Sequence, residues 1–151
     1  MITYMPTGAD IFSVDAAMIV CPVNTRGVMG AGLAKEVKNR FPFESEQYRR
    51  HCQCDSEGMI PGGVYIPRHS DEVAFLATKD HWRDPSRVEW VESGLRDLFW
   101  ILDNSDTIVA IPALGCGLGG LDWEDVRQVI EKVARQYTVN VVVCPPMEQL
   151  P

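Results

Sequence analysis

The stretch "IPALGCGLGGLDWEDVRQVIEKVARQY" (Ile111–Tyr137) sets Gly115, Gly117, Gly119 and Gly120 within six positions. Glycine gives up more backbone freedom on ordering than any other residue. Such a run therefore belongs where a chain turns steeply, or where backbone must come close to a bound group. A second stretch, "VNTRGVMGAGLAKEVKNRF", has the same construction: an apolar strand leads through Gly27, Gly30 and Gly32 into a helix. Two such transitions can aim peptide N–H groups and two helix N-termini at one anion, so a phosphate-bearing ligand is expected. Gly115-x-Gly117-x-x-Gly120 is formally a dinucleotide fingerprint. Its next strand, Val139–Cys144, ends in "CPP" without the acidic residue that a nicotinamide site needs. A Walker loop fails too, since no Gly-Lys-Ser/Thr follows.

Between the two runs, Lys79, His81, Arg83 and Arg87 gather around Trp82. An exposed Trp beside Arg can stack a base and contact a phosphate, whereas a core Trp82 would leave Arg83 as a helix cap. His81, Trp82 and Arg83 are candidate substrate contacts. Cys116 is not expected to be a nucleophile, because no His follows at a motif-like position and its flanking glycines account for the site as backbone. "HCQC" (His51–Cys54) offers three potential zinc ligands, but Cys-x-Cys without a second paired cluster is poor tetrahedral spacing. No metal and no cofactor is expected.

The elements that must carry these residues follow from hydrophobic pattern. "AAMIVCPVN" (Ala16–Asn24) reads as a buried strand, "GLAKEVKNRF" as a helix stopped by Pro42, and "FESEQYRRHC" as a second helix. "GGVYIP" and "VAFLAT" read as strands, the latter ending at Lys79. Val88, Val91, Leu95, Leu98 and Leu102 recur at helical spacing, so one face of that helix is core. "DTIVAIP" is a strand, "DWEDVRQVIEKVARQY" a helix with Asp122 as N-cap, and "VNVVVCPP" a last buried strand. Residues 55–63 read as a surface loop only, and Trp90, Trp100 and Trp123 as helix-borne packing residues. Strands alternating with helices, several of them apolar throughout, imply a mixed, largely parallel sheet covered by helices on both faces.

At 151 residues a single domain spanning 1–151 is expected, with 46% hydrophobic and 23% charged residues. No apolar run reaches membrane-span length and the N-terminus lacks the layout of a signal peptide, so a cytoplasmic protein is expected, with no membrane partner. Five scattered cysteines suit reduced thiols. The net charge of −7 argues against broad, sequence-independent grip on nucleic acid, but not against a small anion held by peptide N–H groups.

Together, "ADIFSVDAAMIVCPVNTRGVMGAGLAKEVKNRFP", "ATKDHWRDPSR" and "IPALGCGLGGLDWEDVRQVIE" resemble a macrodomain, the three-layer α/β/α fold that binds ADP-ribose. Within it the chain is most similar to the DNA ADP-ribosyl glycohydrolase antitoxins (DarG-like), through "VNT-GVMG-GLA", "TK-HWR-SR" and "PLGCGLGGLDW". The resemblance implies a hydrolase that removes ADP-ribose from thymine in single-stranded DNA. A DNA ADP-ribosyltransferase toxin is then a candidate partner, and a monomer is expected. It implies that Asp10 accepts a hydrogen bond from the adenine amino group while the Ile11 amide contacts the ring. By the same resemblance Asn24, with Thr25, lies beside the distal ribose. Gly27, Val28, Met29 and Gly30 run along the diphosphate, and Leu114, Gly115, Cys116, Gly117, Leu118 and Gly119 form the opposite wall. Lys79 matches the family's catalytic lysine. One departure stands out: protein-ester glycohydrolases carry an Asp where this chain has Gly119. Three alternatives remain open on sequence: a hydrolase of carboxylate-linked ADP-ribosyl protein, a hydrolase of ADP-ribose 1″-phosphate, and a non-catalytic ADP-ribose reader.

Overall fold

The computed structural model describes residues 1–54 and 58–147. Six strands form one sheet in the order β1-β6-β5-β2-β4-β3: β1 Ile2–Tyr4, β2 Met18–Val23, β3 Val64–Tyr65, β4 Val73–Ala77, β5 Ile108–Ile111 and β6 Asn140–Val143. Every pairing is parallel except β3 with β4. Parallel strands need crossovers, and these supply the covering helices: α1 Gly32–Arg40, α2 Pro42–Cys52, α3 Val88–Leu102 and α4 Trp123–Ala134.

Strand alternation sorts the core into two layers. Val73, Phe75 and Ala77 turn toward α1 and α2, where they meet Val37 and Tyr48. Ala74 and Leu76 turn the other way, toward Val91, Leu95, Leu98 and Phe99 of α3 and Val126, Ile130 and Val133 of α4. Tyr48 stacks on Phe75 with centroids 4.8 Å apart, a contact of about 0.5–1.5 kcal/mol beyond its area. Helix α3 comes so close to β4 that a Cβ on Gly94 would run into the Leu76 side chain. The expected three-layer α/β/α architecture is therefore present. Asp122 caps α4, accepting from Glu124 N at 2.9 Å as its position predicts.

Two expectations differ from the structure. Trp100 is 71% exposed, because it follows the fully buried Phe99 by one step, a 100° turn that carries it off the core face of α3. The 55–63 segment is more than a surface loop: Met59 is buried in the α1–α2 layer, and Gly62 N–H donates to Ala77 O at 2.8 Å. Positions 55–57 of that segment, and the end of the "CPPMEQLP" tail from 148 on, lie outside the described residues. Among the described residues no helix is long and apolar enough to cross a membrane.

Candidate functional site

A cavity of about 730 Å³ opens at the carboxyl ends of β2, β4 and β5, where open parallel sheets gather their ligand loops. That volume suits a nucleotide-sized molecule. One wall is loop 1 and the start of α1 (Asn24, Val28, Gly30 to Ala34); the other is loop 2 (Gly115, Gly117, Leu118, Gly119). Between them lie Thr78, Lys79, Trp82, Arg83 and Ser86 of the strap that joins β4 to α3.

Both walls offer peptide donors. Helix α1 starts at the extended N-cap Ala31, which has no side chain able to cap, at a typical cost of about 1 kcal/mol relative to Ser or Asp. The first-turn N–H groups of Gly32, Leu33 and Ala34 therefore face the cavity without a protein acceptor among the described residues. Across from them, the N–H groups of Gly117, Leu118 and Gly119 likewise donate to no backbone carbonyl among the described residues. A Cβ added to Gly32 or Gly117 would meet nothing within 4 Å, so at both positions the backbone borders open space. The expectation of two helix N-termini at one anion is not met. Among the described residues only α1 reaches the cavity, whereas α4 begins beyond loop 2, is capped by the Asp122 carboxylate and carries Glu124 and Asp125 in its first turn.

The strap is fastened to both loops. Thr25 N and Thr25 Oγ1 donate to Asp80 O at 3.0 and 2.9 Å, and Oγ1 also approaches Asp80 Oδ1 at 2.6 Å. Arg26 stands 3.7 Å from Asp80 Oδ2. At the far end, Ser86 N donates to Gly119 O at 3.0 Å, Arg87 N to Thr78 O at 3.1 Å, and the buried hydroxyls of Ser86 and Thr78 are 3.0 Å apart. Lys79 is thus held between two fixed points, its Nζ 3.5 Å from Trp82 O and its side chain on the cavity.

Asn24 lines the cavity, yet most of its amide serves loop 1. Oδ1 accepts from Arg26 N (2.9 Å) and Val28 N (3.3 Å), while Nδ2 donates to Val28 O (2.9 Å). Buried Tyr48 donates its hydroxyl to Asn24 O at 2.5 Å. One Nδ2 hydrogen remains for a ligand. Val28 and Gly30 face the cavity, whereas Gly27 and Met29 face away, lining a smaller cleft against α1 and α2.

Other expected residues stand back from the cavity. Thr25 is buried against the strap. Leu114 is fully buried in the core, and Cys116 turns its Sγ toward Leu114 O at 3.6 Å. Burial, with the Asp122 carboxylate second, pushes the Cys116 thiol up to about 11, so it carries no thiolate near neutrality. Asp10 accepts from Phe12 N (3.0 Å) and Ser13 Oγ (3.2 Å), capping a 3-10 turn over Ile11–Ser13, and does not border the cavity. Ile11 packs with Cys144 in a small cluster against Leu33, whose other side borders the cavity.

Trp82 is 42% exposed at the cavity mouth, not in the core. His81 stacks on it at 5.1 Å, and the Arg83 guanidinium lies 4.5 Å over its ring. His81 Nδ1 accepts from Arg83 N at 3.1 Å, which fixes the imidazole orientation. Sequence reasoning expected the start of α1 at the anion without naming Gly32, Leu33 and Ala34 as lining residues, and it missed Thr78 and Ser86. For α1 the signal was available: an Ala, not a capping residue, precedes Gly32.

Residues 20–130 match the family model described as Macro domain. The chain is 35% identical over 157 aligned residues to the Mycobacterium tuberculosis protein "DNA ADP-ribosyl glycohydrolase", covering 97% of this chain and 42% of the relative. It thus spans less than half the length of that curated protein. The solved macrodomain of Mycobacterium tuberculosis DarG superposes with a TM-score of 0.85 at 35% identity, over 97% of this chain and 98% of that one. The structure titled "Thermosipho africanus DarTG in complex with ADP-ribose" superposes with a TM-score of 0.79 at 31% identity, over 94% of this chain and 41% of that one. With more than half its length matched and the fold shared along nearly all of it, the chain belongs to the macro domain family.

Proposed function

We propose that this chain is a macrodomain module, spanning 1–151, that binds ADP-ribose and hydrolyses it from thymine in ADP-ribosylated single-stranded DNA. The observation that carries the reading is the pair of facing walls of free peptide N–H groups with Lys79 held between them. Such donors suit a diphosphate in a chain of net charge −7, because they add no formal charge. Its relatives, a DNA ADP-ribosyl glycohydrolase and a protein solved in complex with ADP-ribose, support the same ligand and reaction.

In this reading the diphosphate lies between the start of α1 and Gly117–Gly119, and the adenosine extends past Leu33 toward Ile11 and Asp10. The distal ribose then faces Asn24 and Lys79. Asn24 acts chiefly by setting the course of loop 1 through Arg26 and Val28, with its remaining Nδ2 hydrogen for a ribose hydroxyl. Lys79 is the catalytic residue. Hydrolysis breaks the bond from the anomeric carbon to thymine through a transition state of oxocarbenium character, and water oxygen replaces the base. The Lys79 ammonium donates the proton that thymine nitrogen takes as it leaves; alternatively the neutral amine attacks the carbon and expels thymine, the proton of the alkylated amine passes to thymine nitrogen, and water then displaces the amine. Trp82, His81 and Arg83 sit where the departing base must lie. A DNA ADP-ribosyltransferase toxin supplies the substrate.

The test is a thymine-linked ADP-ribosyl oligonucleotide. Wild type should release ADP-ribose, and Lys79→Ala should lose roughly 10²-fold or more of the rate while still binding ADP-ribose in calorimetry. Binding without turnover on any substrate would make the chain a reader. Cleavage confined to modified protein or to ADP-ribose 1″-phosphate would assign it another substrate.

A further inference from the structure

Beyond the cavity mouth, where the strap enters α3, stands a second aromatic–guanidinium pair that the reaction at Lys79 does not use. Arg87 lies 5.3 Å over the ring of Trp90, as Arg83 lies 4.5 Å over Trp82. Hydrogen bonds fix its place. Arg87 N donates to Thr78 O, and Gly62 N donates to Ala77 O, both at the carboxyl end of β4. The first turns of α3 pack on Gly62, where an added Cβ would come within 3.1 Å of Ser93 Cβ and 3.3 Å of Trp90 Cα. Both pairs therefore stand at the cavity end of the sheet, with Ser86 of the cavity lining between them along the chain.

The charges of the two pairs are unspent. Arg83 and Arg87 are exposed, and among the described residues neither meets a carboxylate at ion-pair distance. Arg26, Arg49, Arg50, Arg96, Arg127 and Arg135 each do. In a chain of net charge −7, residues 79–90 are locally neutral, with Lys79, Arg83 and Arg87 balancing Asp80, Asp84 and Glu89, and the two guanidiniums on indole faces are left free of ion pairs among the described residues. A guanidinium layered on Trp keeps its edge donors for phosphate while the aromatic offers a face to a base. Repeated along a surface, that arrangement suits single-stranded nucleic acid, whose base faces are free to stack.

We propose that Arg87 and Trp90 form a docking step for the nucleotide flanking the modified one, so that a single strand crosses the strap from Trp82–Arg83 to Trp90–Arg87. This rests on the DNA reading above. The test compares ADP-ribosylated thymidine monophosphate with the same group inside a single-stranded pentanucleotide. Wild type should show kcat/KM roughly ten-fold or more higher on the pentanucleotide, given how strongly one stacked base holds. In Trp90→Ala and Arg87→Gln that ratio should fall toward one, and the Arg87→Gln ratio should depend less steeply on salt. Equal rates on both substrates in wild type, or an unchanged ratio in both variants, would overturn the docking step while leaving the glycohydrolase standing. If neither substrate is cleaved, the glycohydrolase reading falls and the step is read by anisotropy with an unmodified labelled pentanucleotide. Weaker binding by Arg87→Gln than by wild type supports it; equal or undetectable binding sinks it.

Discussion

Ser86 occupies the space that a side chain at Gly119 would need. A Cβ built on Gly119 would run into Ser86 Oγ and come within 2.5 Å of Gly115 O. The acid that protein-ester glycohydrolases carry at this point therefore has no room here, and the Ser86–Gly119 backbone bond that fastens the strap depends on its absence. Gly119→Ala should destabilise the fold by about 1–3 kcal/mol through overpacking, and Gly119→Asp by more. Urea melts measure this, and an unchanged midpoint for Gly119→Asp would refute it.

Gly117 makes the contrast. It borders the cavity, and an added methyl would meet no atom within 4 Å. Gly117→Ala should leave the melting temperature within about 2 °C of wild type, as for a neutral surface change. Its methyl group would stand where a diphosphate approaches, so ADP-ribose affinity should fall about ten-fold or more by calorimetry. Full affinity would place the ligand elsewhere.

The clasp between Thr25 and Asp80 holds the strap next to Lys79 from outside the cavity lining. Thr25→Val keeps the shape but removes the hydroxyl from Asp80, at a cost of about 1 kcal/mol. Turnover of the thymine-linked substrate should fall several-fold with ADP-ribose affinity nearly kept, and Thr25→Ser should restore the rate. Equal losses in kcat and in affinity, or no rescue by serine, would reduce the clasp to a general fold contact.

Cys116 gives a pH prediction. Its folded thiol titrates near 11, chiefly through burial, above the usual 8.5 or so of a free cysteine. A raised pKa means that the folded state holds the proton more tightly. The stability so contributed is whole below the unfolded value and is lost as pH rises toward 11. Fully buried Cys21 is shifted in the same direction and adds to the alkaline loss. Thermal melts between pH 8 and 11 should fall less steeply for Cys116→Ser than for wild type. Alkylation should reach exposed Cys54 at pH 8 well before Cys116.

Much of the fold was legible because period and punctuation are local. Val91, Leu95, Leu98 and Leu102 recur at helical spacing, and all four are buried. Val73–Ala77 is apolar throughout because both of its faces are covered. Asp122 announced the start of α4 from its own chemistry. Trp100 was misread because composition assigns a tryptophan to the core, whereas one step of helical rotation assigns this one to the surface. Met59 was missed because a single apolar residue in a loop has no period to betray it.

By itself the sequence determined the two glycine runs, the strands and helices they join, and the cluster around Lys79, since each is written in consecutive residues. Only the tertiary structure decided that α1 alone turns its open end to the cavity, that Asp10 caps a turn outside it, and that Thr25–Asp80 and Ser86–Gly119 fasten the strap at both ends. The two fastenings join groups 55 and 33 residues apart beyond the carboxyl ends of the strands, and such meetings follow from which strands lie side by side rather than from any local pattern.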